Sequence, residues 1–220
     1  LSIFSNYYFV KTPWVIAAWY GKQVWKINTH EPVIFLTFDD GPHPEHTPKV
    51  LEILDKYQAK ASFFCIGKNA KDSPDILNQI IEAGHVIGNH TQNHLNGWKT
   101  SDQDYLYDIY LAKKQLGSHL FRPPYGRIKK SQTNQFLENN PGAKIIMWSV
   151  LSGDFDLRLT PEQCARKVSK HLNPGHIFVF HDSQKASSRM FPALLKLLEE
   201  GKRKGFRFEA LTPEWLNLKL

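Results

Sequence analysis

An α/β domain built on a parallel sheet is predicted by three observations. Short apolar runs rich in β-branched and aromatic residues alternate with stretches whose apolar residues recur at helical spacing. The connections between them are short and marked by Gly, Pro, Asn and Asp. About seven such runs can be counted, one fewer than the usual eight-stranded β/α barrel needs, so the sheet is either open or closed with a strand missing. No internal repeat, low-complexity tract or linker divides the 220 residues, which suffice for one domain with a full core.

The elements follow in order. Residues 33–38 form the first strand, an unbroken apolar run that ends in Asp39-Asp40-Gly41-Pro42. Thr47-Pro48 opens a helix over 47–57, with proline in its first turn. A second strand covers 59–66. Ser73-Pro74-Asp75 caps a helix carrying Ile76, Leu77, Ile80 and Ile81 and stopped by Gly84. Residues 85–89 are a short third strand. Leu106, Ile109, Tyr110 and Lys113 mark a helix over 102–116. Strand four spans 119–122, a helix 131–139 and strand five 144–150. Thr160-Pro161-Glu162 caps a further helix, strand six is 176–181, and a helix over 190–204 ends at Gly205. Residues 206–210 are strand seven and 213–218 a short terminal helix.

Residues 1–32 are expected to wrap the domain formed by 33–220. Ile3 to Val10 and Trp14 to Tyr20 are apolar, but Lys11 and Pro13 divide them and neither piece can span a bilayer. The alternative reading of this segment is the tail of a membrane anchor. No charged region followed by a clean apolar core marks an intact signal peptide. The formal charge of +7 and pI near 9.3 suit a solvated basic surface or an acidic polymer as partner. No zinc finger or RNA-binding aromatic motif is present, so nucleic acid is not expected. Of the two cysteines, Cys65 sits in an apolar run and reads as a small buried hydrophobe; a disulfide to Cys164 is not expected.

Two adjacent carboxylates at a strand end repel each other unless something positive lies beside them, and a metal ion is the natural candidate. His90 and His94, four apart after strand three, lie on one face if the segment makes a helical turn and can then share one ion. No Glu lies between them as in a His-Glu-x-x-His protease, so a base must come from elsewhere, and Asp39-Asp40 can supply both a third ligand and that base. Phe121-Arg122-Pro123-Pro124-Tyr125-Gly126 is a rigid turn. Arg122 can steady a carboxylate, and Tyr125 is the first residue after the prolines able to donate a backbone N–H to an oxyanion. His181, ending strand six, suits a general acid. The segment Ser152-Gly153-Asp154-Phe155-Asp156 can present it with a carboxylate. Asn89-His90-Thr91 matches a glycosylation acceptor, a match that is accidental if His90 lies in a cleft.

Thr37-Phe38-Asp39-Asp40-Gly41-Pro42, His90-Thr91-Gln92-Asn93-His94, Arg122-Pro123-Pro124-Tyr125-Gly126 and His181-Asp182 together resemble, in order, the motifs of the polysaccharide deacetylases. These are the NodB-homology domains of carbohydrate esterase family 4. The resemblance runs from about Val33 to Leu211. It implies a distorted (β/α)7 barrel, in agreement with the strand count. It implies that Asp40, His90 and His94 hold one divalent metal, commonly zinc, with Asp39 as general base and Arg122 as its partner. It gives His181 the role of general acid and Tyr125 N–H a place in the oxyanion hole, with Val179 lining the acetyl-methyl pocket. The family's Asp-x-x-Asp-Trp motif appears here as Leu151-Ser152-Gly153-Asp154-Phe155, which keeps Asp154 as the partner of His181 and puts Phe155 on the groove wall. Asp156 is the lesser candidate for that partner.

The expected activity is hydrolysis of the N-acetyl group of N-acetylhexosamine residues in a peptidoglycan- or chitin-type glycan, at the cell envelope, by a monomer. The alternatives are hydrolysis of another non-peptide C–N bond and a catalytically inactive glycan-binding domain. Two imidazoles and a carboxylate suit zinc, cobalt, nickel or iron. Asn93, Asn96, Trp98 and Phe155 stand where a groove rim is expected.

Overall fold

The computed structural model describes Pro13 and residues 21–216. Most of the expected N-terminal wrap lies outside the described residues. Its last part contributes β1 (Gln23–Val24), a strand the sequence does not announce. Eight more strands follow: β2 (Val33–Asp39), β3 (Ser62–Cys65), β4 (Val86–Asn89), β5 (Leu120–Phe121), β6 (Lys144–Ile146), β7 (Val150–Leu151), β8 (Ile177–His181) and β9 (Arg207–Glu209). The helices are α1 (His46–Lys56), α2 (Gly67–Asp72), α3 (Pro74–Glu82), α4 (Asp102–Leu116), α5 (Lys130–Asn139), α6 (Pro161–Ser169), α7 (Ser187–Arg203) and α8 (Pro213–Leu216). Among the described residues no helix is long and apolar enough to cross a membrane.

All nine strands join one sheet in the order β1-β6-β5-β4-β3-β2-β8-β7, with β9 pairing to the first half of β2. Every strand pairing is parallel. The sheet curls into a half-barrel, an α/β architecture in which helices return the chain between strands. Its curl brings the segment after β1 to the turn before β8. There Lys26 and His176 form an antiparallel bridge, and Ile27 N–H donates to the Gly175 carbonyl at 2.9 Å. Gly175 has φ 76°, and a Cβ there would lie 1.9 Å from the Ile27 carbonyl oxygen, so this approach needs glycine.

The continuous apolar run of β2 is explained by burial on both faces. Ile34, Leu36 and Phe38 point one way, into a layer with Phe63, Phe178 and Phe180 that packs on residues of α1, α6 and α7. Val33 and Phe35 point into the half-barrel, against Phe64, Leu120, Ile146 and Ile177. A third cluster, around Tyr105, Phe121, Phe136 and Ile145, seats α4 and α5. Truncating a side chain such as Phe178 to Ala is expected to cost about 3–5 kcal/mol. At the carboxyl ends of the strands the inner face changes character, to Thr37, Asp39, Arg122 and His181.

Three local differences from the sequence reading have physical reasons. Strand five divides into β6 and β7, because Ile146 and Met147 turn their carbonyls to the Arg122 guanidinium (3.1 and 2.9 Å). Helix α2 has the sequence GKNAKD, with no apolar period to betray it. Ser73 stands at the start of α3 but makes no side-chain cap, leaving Pro74 as the signal there. By contrast Thr160 accepts from Gln163 N–H while Gln163 reaches back to Thr160 N–H, a complete capping box on α6. Cys65 and Cys164 are both buried and free.

Candidate active site

The carboxyl ends of β2, β4, β5 and β8 deliver the polar groups to one place. Parallel register sets Asp39 beside His181 and, through β3, aligns Cys65 with Asn89 and Asn89 with Phe121. His90 and Arg122 each follow the last residue of their strands, so they leave the sheet at the same rim.

Asp40, His90 and His94 form a group whose ligand atoms all lie within 4.8 Å of one another. Asp40 Oδ1 is 3.2 Å from His94 Nε2 and 3.8 Å from His90 Nε2, yet it is buried and accepts no hydrogen bond. A buried carboxylate oxygen facing two imidazole nitrogens without a hydrogen bond fits a cation between them. One ring is held in the tautomer such a site needs: His90 Nδ1–H donates to the Arg122 carbonyl at 2.8 Å, which leaves its Nε2 lone pair toward Asp40. His94 Nδ1 lies 3.1 Å from the Tyr125 hydroxyl, a group that can accept from it or donate to it. Burial pushes His90 down to about 4, so it is neutral at physiological pH. Burial opposes ionisation of Asp40, but His94 beside it, with His181 and His90 near, holds its carboxyl well below the usual range.

The helical turn expected over 90–94 is not formed. Thr91 (φ 65°) and His94 (φ 56°) adopt left-handed conformations, and the rings meet across a bend with centroids 5.1 Å apart. Asp40 is left-handed too, at φ 80°. Its carbonyl accepts from Asn69 Nδ2 at 2.7 Å, which helps to hold this unfavoured backbone. Asn89 is buried, donating to the Ile109 carbonyl and accepting from Thr91 N–H, so the glycosylation match is accidental.

Arg122 is fully buried and Asp39 nearly so, and their side chains meet at 2.7 Å. The same Nη1 also donates to Thr37 Oγ1 at 2.7 Å. The guanidinium stacks 4.1 Å from the Phe64 ring centroid. All three nitrogens of the fork are thereby engaged, and Asp39 Oδ1 is taken by the arginine. Opposite, His181 Nδ1–H donates to Asp154 Oδ1 and its backbone N–H to Asp154 Oδ2, both at 2.8 Å. Burial lowers the His181 pKa, but the Asp154 carboxylate, with Asp40 and Asp39 beyond it, outweighs that and raises it to about 10. Phe155 sets its ring edge-on to His181 at 5.2 Å. Asp156 instead pairs with Arg158 at 2.7 Å.

Val179 is buried two residues before His181 on the same face of β8, in register with Thr37 and Leu151. Tyr125 takes φ 59° after the two prolines, is 60 % exposed, and packs against His94 with centroids 4.6 Å apart. Of the rim residues, Asn93 donates to Asp108 at 2.6 Å and Asn96 caps the turn that carries Trp98.

One residue of the site has no assigned role in the sequence reading. Asp182 is fully buried and accepts from Gly41 N–H at 3.1 Å and from the Thr47 hydroxyl. A Cβ on Gly41 would lie 2.2 Å from Asp182 Oδ2, so this bond explains the glycine after the two acids. Burial raises the Asp182 pKa to about 7. A lone Asp after a strand carries no sequence signal of such a function.

A family model described as polysaccharide deacetylase matches residues 26–140. A peptidoglycan-N-acetylglucosamine deacetylase of Bacillus cereus is 36% identical over 194 residues, covering 86% of this chain and 90% of its own. A chitooligosaccharide deacetylase of Azorhizobium caulinodans is 36% identical over 168 residues, covering 73% and 78%. The solved Bc1960 peptidoglycan N-acetylglucosamine deacetylase superposes with a TM-score of 0.80 at 31% identity, covering 93% of this chain and 96% of its own.

Proposed function

The chain belongs to the polysaccharide deacetylases, and from that premise we propose that it hydrolyses the N-acetyl amide of N-acetylhexosamine residues in a peptidoglycan- or chitin-type glycan. Acetate and a free amino sugar are the products. The observation that carries this reading is the Asp40–His90–His94 cluster, flanked on one side by Asp39–Arg122 and on the other by His181–Asp154. An acid pair with one member tied to a cation-binding cluster and the other to a buried arginine supports two separate roles.

Asp40, His90 and His94 would hold a divalent ion, which would supply Lewis-acid chemistry for the attacking water and the acetyl carbonyl. Two imidazoles and one carboxylate favour zinc. Asp39 takes the proton of the attacking water on Oδ2. Arg122 holds Oδ1 and sets its counter-charge beside the carboxylate, which orients it. The Tyr125 N–H contributes to the oxyanion hole, a donor worth roughly 3 kcal/mol in such sites. His181 is protonated, with Nδ1–H committed to Asp154, so it gives the departing amine its proton from Nε2. Val179 and Phe155 wall the space for the acetyl methyl and the sugar. A glycan substrate of this class supports the cell envelope as the proposed site of action.

The test is acetate release from chitin oligomers and peptidoglycan fragments by the metal-reconstituted protein, run beside ammonia release from ureides. Acetate from either glycan, without ammonia, is the expected result. Ammonia without acetate would transfer the site to another C–N bond. Binding of either glycan without release of acetate would leave a lectin-like domain.

A further inference from the structure

Resting on the deacetylase reading, we infer that Trp98, Arg127 and Lys99 form a subsite for a carboxylate-bearing sugar next to the reacting N-acetylhexosamine. The feature begins four residues after His94. Trp98 is 55 % exposed, yet its ring is anchored, because Nε1–H donates to the Ile128 carbonyl at 3.2 Å. Its backbone N–H donates to Asn96 Oδ1 at 3.1 Å. Gly97 beneath it is packed so closely that a Cβ would lie 2.5 Å from the Arg127 carbonyl and 2.8 Å from Gln132 Oε1. An exposed indole on a turn this tight is ordered before anything binds, so a flat sugar face can cover it with little loss of entropy.

Its neighbours supply charge. The Arg127 guanidinium lies 5.2 Å from the Trp98 ring centroid, and exposed Lys99 follows directly in the chain. Neither cation forms an ion pair among the described residues. The nearby acids are already engaged: Asp102 pairs with Lys129 at 3.2 Å, and Asp104 accepts from Ser101 at 2.6 Å. The patch is therefore aromatic with net positive charge, complementary to a sugar that carries an acid and not to a neutral one. It is continuous with the site. Ile128 is three residues from Tyr125, so the anchor of the indole is within roughly 11 Å of the Tyr125 Cα, and the Tyr125 ring stands against His94. Neighbouring sugars of one glycan strand span that separation.

The test uses glycan fragments of one length in two forms: lactyl-acid-bearing peptidoglycan strands and the same strands with the acid methyl-esterified. Binding is read by titration calorimetry on the full chain after chelator treatment, and KM by acetate release on the metal-loaded enzyme. The acid form should bind about tenfold more tightly than its ester, a gap that shrinks as salt rises. The double variant R127Q/K99Q should bring the two forms within about twofold. Trp98→Ala should weaken both forms about fivefold to tenfold, and Trp98→Phe should restore most of that. Lys202→Gln, on the exposed end of α7, serves as the control and should leave the acid-to-ester ratio unchanged. Equal binding of acid and ester, or a preference that survives R127Q/K99Q, overturns the subsite. Absence of acetate release with the calorimetric preference intact overturns the deacetylase reading and leaves the subsite standing.

Discussion

Arg122 Nη1 donates to Asp39 Oδ1 at 2.7 Å in a pocket where the guanidinium has no exposure at all. Two charges taken out of water cost several kcal/mol each unless every donor and acceptor is met. Here Thr37 Oγ1 and the Ile146 and Met147 carbonyls take three more donors, so that every nitrogen of the guanidinium is bonded, and Phe64 covers the face of the fork. The pair therefore joins β2, β5 and β6 as well as orienting the base.

Arg122→Ala is expected to cost about 3–5 kcal/mol of stability, because it leaves Asp39 buried without its counter-charge. Arg122→Lys should recover only part of this, since one ammonium cannot reach Asp39, Ile146 and Met147 together. Urea unfolding of both variants measures the loss. A cost under about 1 kcal/mol for the alanine variant, the range of exposed pairs, would contradict the buried-pair account.

The two adjacent acids should fail differently when turned into amides. Asp40→Asn removes a charged ligand and should lower metal content at fixed free metal. Asp39→Asn should keep metal content near wild type and abolish acetate release. Elemental analysis beside a turnover assay separates the two, and equal metal loss in both variants would merge roles that the geometry keeps apart.

His181 holds its proton more tightly folded, at about 10, than in its ordinary state, at 6.5. A raised pKa of this kind stabilises the fold fully below about 6.5 and loses its contribution as pH rises through 10. Asp154→Asn removes the main charge that sustains it. The stability gap between wild type and Asp154→Asn should be widest on the acid side of neutrality and close toward pH 10. Urea midpoints across that range test the sign: a gap that widens with pH would mean His181 is not held protonated by Asp154.

Asp182 runs the same way for a different reason, since burial raises its pKa from 3.8 to about 7. Its contribution is fully present below 3.8 and declines as pH rises through 7. Asp182→Asn keeps an acceptor for Gly41 N–H without the buried charge, so it should gain on wild type above pH 7. Asp182→Ala orphans Gly41 N–H and the Thr47 hydroxyl, at about 1–3 kcal/mol for each group left unsatisfied. Loss of metal affinity in the alanine variant alone would show that the bond to Gly41 steadies Asp40.

Much of the scaffold was legible because parallel strands buried on both faces write continuous apolar runs, and β2 and β8 do so. The strand-end acids and histidines were legible because polar residues closing an apolar run must face a rim. What escaped was local or without periodicity: β1 has two residues, α2 has no apolar face, and β6 breaks from β7 to serve a side chain from another strand. The histidine pair shows the limit most clearly. A spacing of four suggested a helical turn, while the chain uses two left-handed residues to reach a similar meeting of rings.

By itself the sequence determined the parallel α/β class, the order of its main elements and the residue types gathered at one rim, since these follow from apolar periodicity and turn chemistry. The resemblance implied that Asp40 joins the histidines, that Asp39 pairs with Arg122 and that Asp154 partners His181. Only the tertiary structure set the geometry of those contacts, and it alone tied Gly41 to Asp182. Those pairings join residues as many as 141 positions apart, and they are set by strand register and by the need to satisfy every buried charge.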